Sequence, residues 1–250
     1  MKLVLLTALG VGSATVFGSL LGFIFKKISH KFSDIIMAFA AGVMLAAAVI
    51  GLILPSLEYG GKYGIIITVV GIFLGALCIN LIDKLVPHLH KVIGPQENEG
   101  HNDKKLDKVL LFVMAIAIHN LPEGMAAGVG FWTGDLSDAF FIALGIAIQN
   151  LPEGMVLIAP MLSAGISPKR TFFYAFLTGV IEIIGTFIGY FAVGFASVLL
   201  PFVLAFAGGT MIYVISEDMM RDEISGKSSH ASYSLLIGFS LMLIFNFVLS

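Results

Sequence analysis

Apolar residues in this chain arrive in runs whose length only a bilayer explains. They fall near residues 3–25, 34–57, 64–86, 107–131, 138–163, 171–193, 200–219 and 232–249. A helix needs about 20 such residues to cross the hydrocarbon core, and the runs are too long and continuous for the strands of a membrane barrel. The chain is therefore expected to be an all-α membrane protein, an eight-transmembrane helix bundle forming a single transmembrane domain over 1–250. Composition agrees, with only 12% charged residues against roughly 25% in soluble domains. The first run follows Met1 and Lys2 directly. It exceeds the roughly 7–15 apolar residues of a signal-peptide core, so it reads as the first span.

Basic residues orient the spans. Twelve of the fourteen Lys and Arg fall on odd-numbered loops, leaving only Lys2 and Lys62 on the other side. By the positive-inside rule the odd loops are cytoplasmic and both termini are extracytoplasmic, in a multi-pass protein of the plasma (cell inner) membrane. The largest loop expected, a cytoplasmic one at about 87–106, carries His88, His90 and His101, which could hold metal transiently or simply be solvated. A net charge of −2 gives no reason to expect nucleic acid as a partner. The single cysteine, Cys78, lies in an apolar run and reads as an inert thiol. Glycines four apart, at Gly18 and Gly22, Gly71 and Gly75, Gly185 and Gly189, suggest closely packed helices.

Chemistry concentrates in a stretch that occurs nearly twice. Ala115–Met125 reads AIAIHNLPEGM and Gly145–Met155 reads GIAIQNLPEGM, identical at nine of eleven positions. His119 and Glu123 are four apart and share a helix face, with Asn120 beside them; Gln149, Asn150 and Glu153 repeat the spacing. Consecutive spans run in opposite directions, so the two motifs can meet near the midplane, a known transporter arrangement. Pro122 and Pro152 free the carbonyls of Ile118 and Ile148, each of which needs another partner or must line a polar cavity. A third acid, Glu182, sits mid-span in the sixth run. Three carboxylates with no Lys or Arg inside the spans call for a divalent cation as counter-charge. One imidazole, carboxylates and amide oxygens without a thiolate suit Zn2+, Fe2+, Mn2+ or Co2+, and Glu123 and Glu153 are placed to bridge two ions. Met125 and Met155 read as packing. Glu58, Asp135 and Asp138 lie at the outer ends, and Glu217, Asp218, Asp222, Glu223 and His230 at the inner end of the seventh span, where they could receive a departing ion.

HNLPEG at His119–Gly124 and QNLPEG at Gln149–Gly154 resemble the signature of the ZIP (Zrt-/Irt-like) divalent metal transporters, most nearly their GufA-type bacterial branch. The resemblance spans the whole chain. It implies a primary metal site of His119, Glu123, Gln149 and Glu153. A second site would be completed by Asn120, Asn150 and Glu182, with the two motif glutamates bridging. It also implies three-helix inverted repeats around helices 4 and 5, alternating access of an elevator or rocking kind, and commonly a homodimer. Many relatives carry His where this chain has Gln149, so the primary site is less charged and its preference for zinc is open, with Cd2+ a further candidate substrate. Glu217, beside Ser216, is the candidate exit ligand. The expected activity is import of a divalent transition metal, most readily zinc, through a midplane binuclear site, with no organic cofactor. Two alternatives share these residues. One is a channel-like facilitator of the same metals; the other is an intramembrane metal-dependent hydrolase, for which the chain lacks the HExxH pattern of zinc proteases.

Overall fold

The computed structural model describes residues 1–25, 29–93, 101–195, 197–219 and 229–249. Among them the secondary structure is helical: α1 (Lys2–Ile24), α2 (His30–Ala46), α3 (Leu54–Tyr59), α4 (Gly64–Ile93), α5 (His101–Val129), α6 (Leu136–Ser163), α7 (Pro168–Phe195), α8 (Leu200–Val214) and α9 (Ser229–Leu249). A widened, π-type segment, Ala47–Ile53, joins α2 to α3 as one rod. Pro55 accounts for it: with no N–H and a ring that crowds the carbonyl four residues back, it forces the preceding turns open. A second π-type segment, Ile215–Met219, prolongs α8. Seven of the rods are long and apolar enough to cross a membrane; the remaining one, α5, carries the first motif. The chain is an all-α membrane protein.

Local signals set the helix ends. Ser29 caps α2 by accepting the Phe32 N–H at 3.2 Å, and Asp135 caps α6 through Ser137 N at 2.8 Å. At the far end of α6, Gly165 takes φ +85°. Bonds from Ile166 N to Met161 O and from Gly165 N to Leu162 O then satisfy the last carbonyls. The loop expected over 87–106 is shorter than the sequence suggested: α4 runs to Ile93 and α5 starts at His101. Leu85, Leu89, Val92 and Ile93 recur at helical spacing, which carries α4 onward past Pro87. The side chains of His88, His90 and His101 lie outside the described residues.

The rods sort into two groups. In one, α1 packs along α6, α5 along α7, and α1 crosses α7; in the other, α4 packs along α8 and α2 along α9. Glycines make these contacts close. A Cβ on Gly18 or Gly22 would strike the backbone of Leu151 or Met155, and one on Gly185 or Gly189 that of Leu121 or Met125. Gly75 meets Phe206 in the same way, and Gly238 meets Phe39. Small residues contribute to the seam between the groups: Gly145 abuts Ala47 and Met242, and Gly51 abuts Ile142. Outward faces are apolar, with Phe73, Ile66, Ile237 and Phe247 exposed, as lipid-facing surfaces require.

The packing has an internal two-fold pattern. Exchanging α1 with α7, α2 with α8, α4 with α9 and α5 with α6 turns each major helix pair into another that is present. Thus α1 on α6 becomes α7 on α5, and α2 on α9 becomes α8 on α4.

Candidate metal centre

Every motif residue falls on the first helix group. His119, Asn120 and Glu123 lie on α5, Gln149, Asn150 and Glu153 on α6, and Glu182 on α7. All seven are buried: Asn120, Gln149, Asn150 and Glu182 have no exposed surface, and His119, Glu123 and Glu153 are 3%, 1% and 4% exposed. Glycines bring their helices to backbone distance, since a Cβ on Gly124 would overlap the Glu182 carbonyl oxygen and one on Gly154 that of Thr15. Glu123 therefore lies within electrostatic reach of both Glu153 and Glu182.

Amides separate the acids. Glu182 accepts three bonds: from Thr15 Oγ1 at 2.6 Å and Asn120 Nδ2 at 2.6 Å on Oε1, and from Asn150 Nδ2 at 2.7 Å on Oε2. Gln149 Nε2 donates to Glu123 Oε2 and, at 2.9 Å, to Asn150 Oδ1. Asn150 Nδ2 also reaches the carbonyl of Val11 at 3.3 Å. Side-chain donors thus stand in for the counter-charge that buried carboxylates require. Among the described residues, no three His, Cys, Asp or Glu side chains converge closely enough to hold an ion in this conformation. The amides of Asn120, Gln149 and Asn150 occupy the space between.

Three oxygens are nonetheless left over. Asn120 Oδ1, Glu123 Oε1 and Gln149 Oε1 are buried with no hydrogen-bond donor. Native structures rarely leave acceptors this way, and such groups call for an ion or water. All three are hard or borderline oxygen donors, the class that divalent cations take.

The prolines themselves border apolar space rather than this polar cluster. Pro122 lines an apolar cavity of about 470 Å3 with Ile118, Leu121, Met125 and Phe206. Pro152 lines a related one of about 320 Å3 with Leu151, Met155 and Phe39. Each proline precedes its glutamate by one position, about 100° round the helix, so the two residues face different ways. Met125 and Met155 line these cavities rather than the polar cluster. Glu217 and Ser216 are exposed just past the end of α8, and His230 is exposed at the start of α9. The side chains of Asp218, Asp222 and Glu223 lie outside the described residues.

Sequence reasoning missed Thr15 and the Val11 carbonyl, both on α1. A signal existed. Gly12, Gly18 and Gly22 recur as Gly179, Gly185 and Gly189, a shift of 167 residues that places Thr15 opposite Glu182.

Residues 104–246 match the family model described as ZIP Zinc transporter. The chain is 34% identical over 247 residues to "Zinc transporter GufA" of Myxococcus xanthus, covering 96% of each. It is 36% identical over 250 residues to "Zinc transporter ZupT" of Chlorobaculum parvum, covering 93% of this chain and 91% of that one. It is also 34% identical over 245 residues to "Zinc transporter ZIPB" of Bordetella bronchiseptica, covering 92% of this chain and 76% of that one.

Proposed function

The chain belongs to the ZIP family of zinc transporters, and from that premise we propose that it imports zinc into the cytoplasm through the cluster shared by α5, α6 and α7. The observation that carries the site is the set of donorless buried oxygens on Asn120, Glu123 and Gln149. An arriving cation takes these first. Turning the amides of Asn120 and Asn150 exchanges their N–H groups for oxygens and releases the Glu182 carboxylate as a further ligand. His119, Glu123, Gln149 and Glu153 form the primary position and Asn120, Asn150 and Glu182 the adjacent one, with Glu123 and Glu153 between two ions. The same donor chemistry accepts Cd2+, Fe2+, Mn2+ and Co2+, and nothing in the work of moving an ion calls for an organic cofactor.

The reading extends to how the ion moves. The α5 rod completes eight spans, with both termini outside. All seven ligands ride on the group α1, α5, α6 and α7, which meets the other group across a seam that includes the small residues Ala47, Gly51 and Gly145. Packing of that kind favours motion of one group past the other over a continuous pore, and so a carrier over a channel. Glu217 would meet the ion at the inner end. Part of the exposed apolar surface would be covered in a homodimer and the rest by the lipid of the cell membrane.

The test is zinc uptake into proteoliposomes. Glu123→Ala and Glu153→Ala should each abolish flux while the protein still elutes as a folded species. Unchanged flux in both would remove the site assignment, and flux that fails to saturate would favour the channel.

A further inference from the structure

We infer that Thr15 on α1 is a positioning residue of the transport site, the hydroxyl that holds the Glu182 carboxylate in place for the ion; the inference rests on the site proposed above.

Three observations carry it. First, Thr15 is fully buried and its Oγ1 donates to Glu182 Oε1 at 2.6 Å, across 167 residues of sequence. Hydroxyls in membrane helices ordinarily satisfy themselves on a carbonyl three or four residues back. Ser19, Thr178, Thr186 and Thr210 do so here. Thr15 instead spends its donor on another helix.

Second, the backbone beneath it is fixed. A Cβ on Gly154 would overlap the Thr15 carbonyl oxygen, just as one on Gly124 would overlap that of Glu182. Gly12 and Gly179 face each other where α1 crosses α7. Thr15 therefore stands on α1 where Glu182 stands on α7. The site has four arms, of which three bear carboxylates and one a hydroxyl.

Third, α1 holds two members of the cluster together. Val11, one turn before Thr15, accepts from Asn150 Nδ2 at 3.3 Å, and that same nitrogen donates to Glu182 Oε2. When Asn120 and Asn150 turn to present oxygens, Glu182 loses both amide donors. Thr15 is then the remaining side chain bonded to it. A ligating carboxylate with its second oxygen held by a donor keeps its orientation, and removing such a partner typically weakens metal affinity about 10–100-fold.

The experiment is zinc uptake by the full chain in proteoliposomes, with KM and maximal rate measured for T15V, T15S, E182Q and the T15V/E182Q pair. T15V keeps the shape and removes the hydroxyl; its KM should rise about tenfold with the maximal rate retained. T15S keeps the hydroxyl and should restore the parent KM. In the E182Q background T15V should add nothing, because Thr15 acts through that carboxylate. Should T15V fail to fold, T15A carries the same expectation.

A parent-like KM for T15V beside a raised KM for E182Q overturns the role of Thr15 and leaves the site standing. Additive effects in the double variant, or a T15S no better than T15V, also overturn it. A parent-like E182Q removes Glu182 from the site, and this inference with it.

Discussion

Gly154→Ala asks a single methyl group to separate α1 from the site. An added Cβ would overlap the Thr15 carbonyl oxygen and come within 3.0 Å of Ser19 N. Both obstacles are backbone atoms, which cannot rotate aside. Non-bonded contact distances then require α1 to retreat by about 1 Å. The bond from Thr15 Oγ1 to Glu182 Oε1 is 2.6 Å, and the same displacement lengthens it to roughly 3.6 Å, where no hydrogen bond survives. Overpacking of this kind costs about 1–3 kcal/mol and a lost bond to a charged group about 1.5–3 kcal/mol. The two share one contact and do not simply add. A total near 3 kcal/mol lowers the melting temperature of a chain this size by about 6–12 °C. Thermal unfolding in detergent reads that shift, and uptake assays should show a raised zinc KM in parallel. Gly10→Ala is the control: it lies on α1, the helix that must retreat, a Cβ there meets nothing within 4 Å, and it should melt no lower than the parent. A Gly154→Ala protein that melts and transports like the parent would refute the close approach of α1 to α6.

Three further outcomes follow from the same contacts. Gln149→Ala removes a donor from Glu123 and should raise the zinc KM about 10–100-fold. Gln149→His adds an imidazole and should move competition uptake toward zinc over Mn2+, since imidazole suits zinc better than manganese. Ser56→Ala lies far from the ligands: Ser56 Oγ is 2.7 Å from Thr68 Oγ1 and donates to Pro201 O at 2.6 Å. Its loss should cost about 1–3 kcal/mol of stability and leave the zinc KM where it was.

The spans and the double motif were legible in the sequence because each announces itself locally. Hydropathy needs only a window of one helix, and nine identities in eleven positions need no alignment. The end of α4 was misjudged because polarity was taken to end the helix, whereas the helical spacing of its apolar residues continues to Ile93. That the prolines face apolar cavities while the glutamates beside them join the polar cluster was not legible, because adjacent positions on a helix face different ways, which a motif written as a string conceals. Thr15 was harder. Between residues 12–22 and 179–189 only the three glycines coincide, so the relation lies in how helices approach one another rather than in side-chain identity. A threonine in an apolar run looks like any other until the partner 167 residues away is seen.

The pairing of Thr15 with Glu182 gives the molecule a sense of up and down. A three-helix unit that is copied along a chain re-enters the bilayer inverted, because three is odd. The helices so related pack alike from either side, and such a frame by itself distinguishes neither face of the membrane. Thr15 and Glu182 break that indifference, as His119 and Gln149 do between α5 and α6: turning the protein over moves a carboxylate from α7 to α1 and leaves a hydroxyl behind. If the site is as proposed above, an ion reaching it from one face and an ion reaching it from the other would meet differently charged walls within a scaffold of nearly the same shape. Exchanging the two residues would leave the architecture in place and move the carboxylate to the other helix of the pair.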